Sequence, residues 1–193
     1  MPNWCSSTLT ITGSKSKLKE FREFSKTDAN RHSLKEDNDL DTERFMPYPK
    51  KYLDKDLKPT TTRIKNVFGQ FQMVEDKDGY NNGGYEWCCR NWGTKWGICH
   101  AELRVKETEN RKKFDDNEEN KGKPQLVYTF DTAWSPGEPI VYKMSKMFPT
   151  LHFKWFCEEE SRAFVCETEI ENGKTVCHED FDPEQFYKDE EDN

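Results

Sequence analysis

The sequence is poor in aliphatic side chains and has no long apolar run. Leu, Ile, Val and Phe together make up 34 of its 193 residues, a share that indicates disorder when the net charge is also high. The net charge is only -7, however, and 26 residues are Phe, Tyr or Trp. We therefore expect a folded chain whose core is built from aromatic rings. No segment approaches the roughly 18 apolar residues that a membrane helix requires.

The sequence also lacks the usual signals for secretion and for a zinc site. Residues 1–5 carry neither the basic stretch nor the apolar region of a signal peptide. None of the seven cysteines forms a Cys-x-x-Cys pair. The adjacent pairs Cys99–His100 and Cys177–His178 are weak zinc signals, because neighbours in a strand point to opposite faces. We predict a cytoplasmic protein with reduced thiols and without a metal or cofactor.

The acidic excess is confined to the C-terminal end of the chain. Residues 179–193 hold eight acids and one base, which leaves 29 acids and 29 bases in residues 1–178. We interpret 1–178 as a single domain and 179–193 as a solvated acidic tail. A body without net charge argues against a protein that recognises specific duplex DNA sequences through a basic face.

The spacing of apolar residues predicts an alternation of strands and helices. In chain order we expect a strand at 4–12, a helix to 25, an insertion at 26–84, a short helix and turn at 85–96, a strand at 98–105, a charged hairpin loop at 106–124, a strand at 125–132, a helix at 135–148, a strand at 151–157 and a hairpin at 164–178. Inside the insertion, residues 60–74 have apolar residues at helical spacing. The sequence of residues 135–138 predicts a capping box, with Ser135 as the helix N-cap.

This order indicates an α+β protein with the ferredoxin-like split β-α-β arrangement. We expect a four-stranded antiparallel sheet with both helices on one face, a helical and loop insertion after the first helix, and an extra C-terminal β-hairpin. The other face would be open to water or covered by the insertion and that hairpin.

Four blocks of residues carry a resemblance to a known family. They are residues 1–13, residues 45–49, residues 87–96 with Asn91-Trp92-Gly93-Thr94-Lys95-Trp96, and residues 128–136. In these blocks the chain resembles the YubB-type ferredoxin-like domain proteins of phages and plasmids. The resemblance implies the fold and a mobile-element origin, but no established reaction. The loop at 106–124 and the acidic tail depart from the family pattern.

The turn after the short helix and the end of the strand at 125–132 are the candidate site, because they lie at the ends of adjacent predicted strands. Tryptophan rings would stack on a base or sugar, lysine would contact a phosphate, and the polar side chains would donate or accept hydrogen bonds. The candidate ligand-binding residues are Asn91, Trp92, Thr94, Lys95, Asp131, Trp134 and Ser135. The alternative is that these tryptophans form the core of a fold poor in aliphatic residues.

The sequence holds no catalytic constellation, phosphate-binding loop or nucleophile elbow. We therefore expect a non-catalytic binding protein of a phage or plasmid that sequesters or inhibits a host factor, in counter-defence. A host protein is the favoured partner, and a nucleotide-like molecule is the alternative. Two other classes stay open: a metal-dependent enzyme acting on nucleotides or nucleic acid through Asp131, Lys95 and Glu158–Glu160, and an assembly component that forms homo-oligomers.

Overall fold

The computed structural model describes residues 3–27, 38–57, 61–75, 78–105 and 124–191. Apart from Pro124, the predicted charged loop at 106–124 lies outside these residues.

The described elements alternate between the two kinds of secondary structure. In chain order they are β1 (Trp4–Thr12), α1 (Lys15–Ser25), α2 (Thr42–Phe45), α3 (Lys50–Leu57), β2 (Thr61–Lys65), β3 (Phe71–Glu75), a 3₁₀ turn (Tyr80–Asn82), α4 (Gly84–Asn91), β4 (Cys99–Val105), β5 (Gln125–Ala133), α5 (Glu138–Met147), β6 (His152–Glu159), β7 (Val165–Glu171), β8 (Lys174–Phe181) and α6 (Pro183–Glu191).

The main sheet has six antiparallel strands in the order β4-β5-β1-β6-β7-β8. The prediction of four strands is wrong, because the C-terminal hairpin β7–β8 pairs with the free edge of β6 instead of covering a face. Val165, Thr168 and Ile170 of β7 are buried in this position. The hairpin supplies hydrogen-bond partners to a backbone edge that would otherwise be exposed.

Aromatic rings fill the space between the sheet and helices α1 and α5. Phe21 of α1 is fully buried and contacts the rings of Phe45, Tyr128, Phe148 and Phe153, at centroid distances of 5.0–6.1 Å. Burial of each such ring contributes about 1.5–3 kcal/mol. The rings therefore replace the aliphatic side chains that the sequence lacks.

Residues 61–75 form a hairpin of two strands, not the helix that their spacing predicts. Asn66 nucleates the turn: its side-chain Oδ1 accepts hydrogen bonds from the backbone N–H groups of Phe68 and Gln70, both at 3.0 Å. Val67 and Phe68 are 94% and 84% exposed. The apolar residues at helical spacing therefore have no core face to pack against, and the side-chain turn decides the local structure.

Helix α5 starts without the predicted capping box. Its N-cap is Gly137, with φ +75°, and no side chain caps the helix. The Ser135 hydroxyl instead donates a hydrogen bond to the carbonyl of Gly93. Because the Ser135 hydroxyl bonds to Gly93, which is distant in sequence, it does not cap helix α5. The predicted capping box at residues 135–138 is therefore wrong.

The acidic segment at 179–193 contains the end of β8 and the helix α6. Asp182 Oδ1 accepts hydrogen bonds from the backbone N–H groups of Glu184 and Gln185, which fixes the start of α6. Phe186 stacks on Phe156 with ring centroids 5.8 Å apart. Helix α6 therefore packs on the sheet face opposite α1 and α5, over the strand that carries Phe156.

Candidate ligand-binding site

The two segments predicted to form a site do touch. The Thr94 hydroxyl donates to the Ala133 carbonyl at 2.9 Å and accepts from the Ala133 N–H at 3.1 Å. The hydrogen bond that the Ser135 hydroxyl donates to the Gly93 carbonyl joins the same two segments. These bonds hold the turn at residues 92–97 against the end of β5, so the hydroxyls of Thr94 and Ser135 are engaged within the protein.

The two tryptophans predicted to face a ligand have different environments. Trp92 is only 2% exposed, its indole N–H donates to the Met46 carbonyl at 2.9 Å, and its ring meets that of Trp87 edge to face. Trp134 is 56% exposed and has a positive φ of 72°. Asn91 donates to the Trp87 carbonyl. Stacking of a ligand between the two indole rings does not follow from this geometry.

Asp131 lies on the face of the sheet that carries Trp4 and Ser6. It is opposite Ser6 in the pairing of β1 with β5, accepts a hydrogen bond from the Ser6 hydroxyl at 2.9 Å, and lies 2.9 Å from His100 Nδ1. Trp92 and Lys95 line one cavity, and Asp131 lines others. The predicted residues are thus distributed over two places.

The first of these places is a cavity of about 350 Å³, which we call the aromatic cavity. Its lining residues are Glu43, Tyr48, Leu53, Asp56, Asp78, Tyr80, Cys88, Trp92, Lys95 and Trp96. The first six come from the insertion at 26–84, whereas sequence reasoning placed no site residue there. The aromatic and acidic residues of the insertion were the available signal, but only the fold brings them next to the tryptophan-rich turn.

The rings of the aromatic cavity are held by contacts with one another and with the backbone. The centroid of Tyr48 lies 5.8 Å from that of Trp92, and the Tyr80 hydroxyl donates to the Lys95 carbonyl at 3.2 Å. The Lys95 ammonium lies 4.4 Å from the centroid of the Trp96 ring. The walls are therefore fixed on both sides, by the insertion and by the turn.

The hydroxyl of Tyr48 is buried and accepts or donates no hydrogen bond. Burial raises its pKa well above the usual value for tyrosine, and the nearby Asp56 carboxylate raises it further. Burial likewise raises the pKa of Tyr80. Both phenols stay protonated at neutral pH, and Tyr48 has hydrogen-bonding capacity that the protein does not use.

The carboxylates of the cavity differ in how far the protein satisfies them. Asp78 accepts the backbone N–H of Asn81 at 2.6 Å and its side-chain amide at 3.0 Å. Asp56 Oδ1 accepts the backbone N–H of Tyr80 at 2.9 Å. These bonds also fix the 3₁₀ turn in place, so the acids at the rim support the wall of the cavity.

The second place is a polar trough on the open face of the sheet, around the pair His100–Asp131. His100 has a positive φ of 52° at an irregularity in the pairing of β4 with β5, and its ring meets that of Trp4 edge to face at 5.2 Å. Positive φ values in non-glycine residues are often retained at functional sites. In the sequence, His100 has only the weak zinc signal of the pair Cys99–His100. Among the described residues, no group of three or more His, Cys, Asp or Glu side chains could hold a metal ion.

None of the seven cysteines, all of which lie within the described residues, forms a disulfide. Burial raises the pKa of Cys5 and of Cys157 to about 12. These two thiols are therefore protonated at neutral pH and serve as small apolar side chains of the core.

Comparisons with known proteins agree with the α+β fold. Residues 108–193 match the family model described as the ferredoxin-like domain in Api92-like protein. A crystal structure of the protein Api92 from Yersinia pseudotuberculosis is similar over 94% of this chain and 98% of its own, with a TM-score of 0.52 and 8% identity. At that identity the likeness concerns the fold alone. No curated protein matches the sequence.

The chain is therefore an α+β protein with a ferredoxin-like domain, similar in its C-terminal part to the Api92-like proteins. In the part of the chain that the structure describes, no helix has the length and apolar character needed to span a membrane.

Proposed function

We propose that this protein is a non-catalytic binding protein of a phage or plasmid, acting in the host cytoplasm to sequester or inhibit a host factor in counter-defence. The YubB-type resemblance of the four sequence blocks motivates the mobile-element origin. The aromatic cavity is the observation that carries the binding role.

The composition of the cavity favours binding over catalysis. Its ten described lining residues include four aromatic rings and three carboxylates but no histidine, serine or threonine. Cys88 is therefore without a neighbouring imidazole in the cavity to activate it. Concave sites with apolar walls and a few convergent polar groups are the usual form of a ligand site.

A host protein is the partner that we favour, with a side chain of that protein inserted into the cavity. The hairpin β2–β3 supports this choice, because it connects two parts of the cavity wall, α3 and the 3₁₀ turn, and has an exposed apolar tip at Val67 and Phe68. Exposed apolar patches of this kind commonly belong to protein interfaces. A second, smaller ligand class is a nucleotide, whose base would stack on Trp96 and whose phosphate would contact Lys95.

The test is affinity capture from host lysate, together with calorimetric titration of cyclic and linear nucleotides. We expect the wild-type chain to retain a host protein and Trp96→Ala to lose it, because the substitution removes one wall of the cavity. Met147→Ala, which truncates an exposed side chain on α5, is the control and should retain the partner.

Trp134→Ala separates the aromatic cavity from the site predicted by sequence, since Trp134 does not line the cavity. Retention by Trp134→Ala and loss by Trp96→Ala place binding in the cavity. Thermal unfolding of each variant confirms that it is folded. If the wild-type chain retains neither a host protein nor a nucleotide, the proposed function is wrong.

An enzyme acting on nucleotides is a second candidate, favoured by the pair His100–Asp131. The carboxylate at 2.9 Å orients His100 through Nδ1, which leaves Nε2 as the nitrogen able to move a substrate proton. Turnover of a nucleotide or nucleic acid that disappears in both His100→Gln and Asp131→Asn would establish this candidate in place of the first.

A further inference from the structure

We infer that the aromatic cavity is a site for an organic cation, that is, an ammonium or guanidinium group. This inference rests on the proposed binding function and names the chemical class of the group that enters. Neither the family resemblance nor the comparisons assign such a site.

The charges of the lining favour a cation over an anion. Glu43, Asp56, Asp78 and Lys95 line the cavity, so three acids and one base give a formal charge of -2. Glu43 is only 9% exposed, so at least one of these carboxyl groups is largely screened from water by the protein. A phosphate would have to approach this excess of negative charge, whereas an ammonium or guanidinium group would be attracted by it.

The aromatic rings of the lining also favour a cation. Tyr48, Tyr80, Trp92 and Trp96 converge on one cavity, and the faces of such rings carry a negative potential that attracts cations. Rings arranged with carboxylates around a small volume are the usual means by which proteins bind alkylated ammonium groups. About 350 Å³ is enough for such a group and lies at the lower end of the range for ligand pockets.

The position of Lys95 shows that a ring of the cavity attracts a cation of the protein itself. Its ammonium lies over the Trp96 ring at 4.4 Å, and no ion pair formed by the described residues includes it. A cationic ligand would compete with Lys95 for this ring, whereas an anionic ligand would use Lys95 as a contact.

The Tyr48 hydroxyl also favours a cationic ligand. The group is buried at the cavity wall without a hydrogen-bond partner. The N–H groups of an ammonium or guanidinium ion are donors only, and a phenolic oxygen can accept from them. A bound cation would therefore give this buried oxygen a hydrogen-bond donor.

The cation has two sources that share this chemistry: a lysine or arginine side chain of a partner protein, and a free amine. The experiment is a titration of the full chain, followed by NMR of the indole N–H signals, with four probes: butylammonium, ethylguanidinium, tetramethylammonium and AMP. A short lysine-containing peptide and spermidine form two further arms that separate the sources.

We expect the cations to shift the Trp92 and Trp96 signals and AMP to leave them unchanged. Lys95→Met should tighten cation binding by about threefold or more, because it removes a like charge from the cavity. Asp56→Asn should weaken it by a similar factor. Lys143→Met, an exposed lysine on α5, is the matched control and should change neither.

Two results would overturn the inference. AMP binding that is stronger than cation binding, and weaker in Lys95→Met, would identify an anion site and leave the proposed binding function intact. If the wild-type chain captures its host protein through Trp96 but binds none of the cations, the cation inference is wrong and the proposed binding function stands. If Trp96→Ala captures the host protein as wild type does, the aromatic cavity is not the binding site; if the wild-type chain captures nothing, the proposed function itself is wrong.

Discussion

Gly84 is the residue at which the Tyr48 hydroxyl approaches the backbone of α4. A Cβ atom at this position would lie 2.0 Å from that hydroxyl oxygen and 2.9 Å from the Gly79 carbonyl oxygen. The absence of a side chain therefore lets the cavity wall close against the helix.

We expect Gly84→Ala to destabilise the fold by about 1–3 kcal/mol, since the added methyl group overpacks a buried site. Urea unfolding measures the change. Tyr48→Phe alone should be neutral or slightly stabilising, because it removes a buried hydroxyl that has no partner. The double variant Gly84→Ala/Tyr48→Phe should recover part of the loss. A double variant as unstable as Gly84→Ala would assign the strain to the Gly79 carbonyl instead.

Glu159 is a buried residue whose hydrogen bonds lower the pKa of its carboxyl group. Its Oε2 accepts hydrogen bonds from the Ser161 hydroxyl and from the backbone N–H groups of Ser161 and Ala163. The hydrogen bond from the Ser161 hydroxyl is the largest cause of a pKa below the usual 4.5. The Asn3 amide contributes further to lowering this pKa.

Because folding lowers the pKa of Glu159, its ionised form stabilises the fold above about pH 4.5, and this contribution is lost as the pH falls through the lower pKa of the folded state. We expect Glu159→Gln to be less stable than wild type at neutral pH, with a difference that narrows below pH 4.5. Urea unfolding across this range is the measurement, with Glu171→Gln, an exposed position, as control. A difference independent of pH would show that the charge is unimportant.

At the scale of elements, the hairpin β2–β3 differs from the other strands because its sheet is separate from the main one. Its tip exposes Val67 and Phe68 almost completely, and Arg63 lies 4.1 Å from the centroid of the half-exposed Phe71 ring. Nothing in the described core depends on the two tip residues.

We expect Val67→Ser/Phe68→Ser to leave the free energy of unfolding within about 0.5 kcal/mol of wild type and to reduce self-association, because it removes exposed apolar surface. Urea unfolding and light scattering measure the two effects. A large loss of stability would mean that the tip packs on the body of the protein. Unchanged scattering would mean that the tip does not drive association.

Element prediction succeeded where local and tertiary preferences agree. The alternation in β1 and β6 predicts a buried face, and Leu9, Ile11, Phe153 and Trp155 are indeed buried. It failed at residues 61–75 and at the start of α5. In the first case a side-chain turn outweighs the apolar spacing, and in the second a long-range hydrogen bond from Ser135 replaces a local cap.

At the scale of the whole molecule, the insertion at 26–84 supplies most of the lining of the aromatic cavity. Sequence reasoning placed the ligand residues in two segments of the ferredoxin-like framework, but the aromatic cavity needs the insertion for six of its ten described lining residues. The insertion is bound to the framework by specific contacts, such as the bond from the Trp92 indole to the Met46 carbonyl. Contacts between residues so distant in sequence have no local pattern that predicts them.

The sequence by itself determined the class of fold, the aromatic character of the core and the adjacency of the turn at 92–97 to the end of β5. These follow from the period of apolar residues and from the short connections between strands, which are local properties. The tertiary structure alone decided that Asp131 and Lys95 serve different surfaces, that Trp92 is buried, and that acids of the insertion meet aromatic rings of the turn. The reason is that the face to which a side chain points, and its neighbours across the chain, are fixed only when the strands pair and the insertion packs.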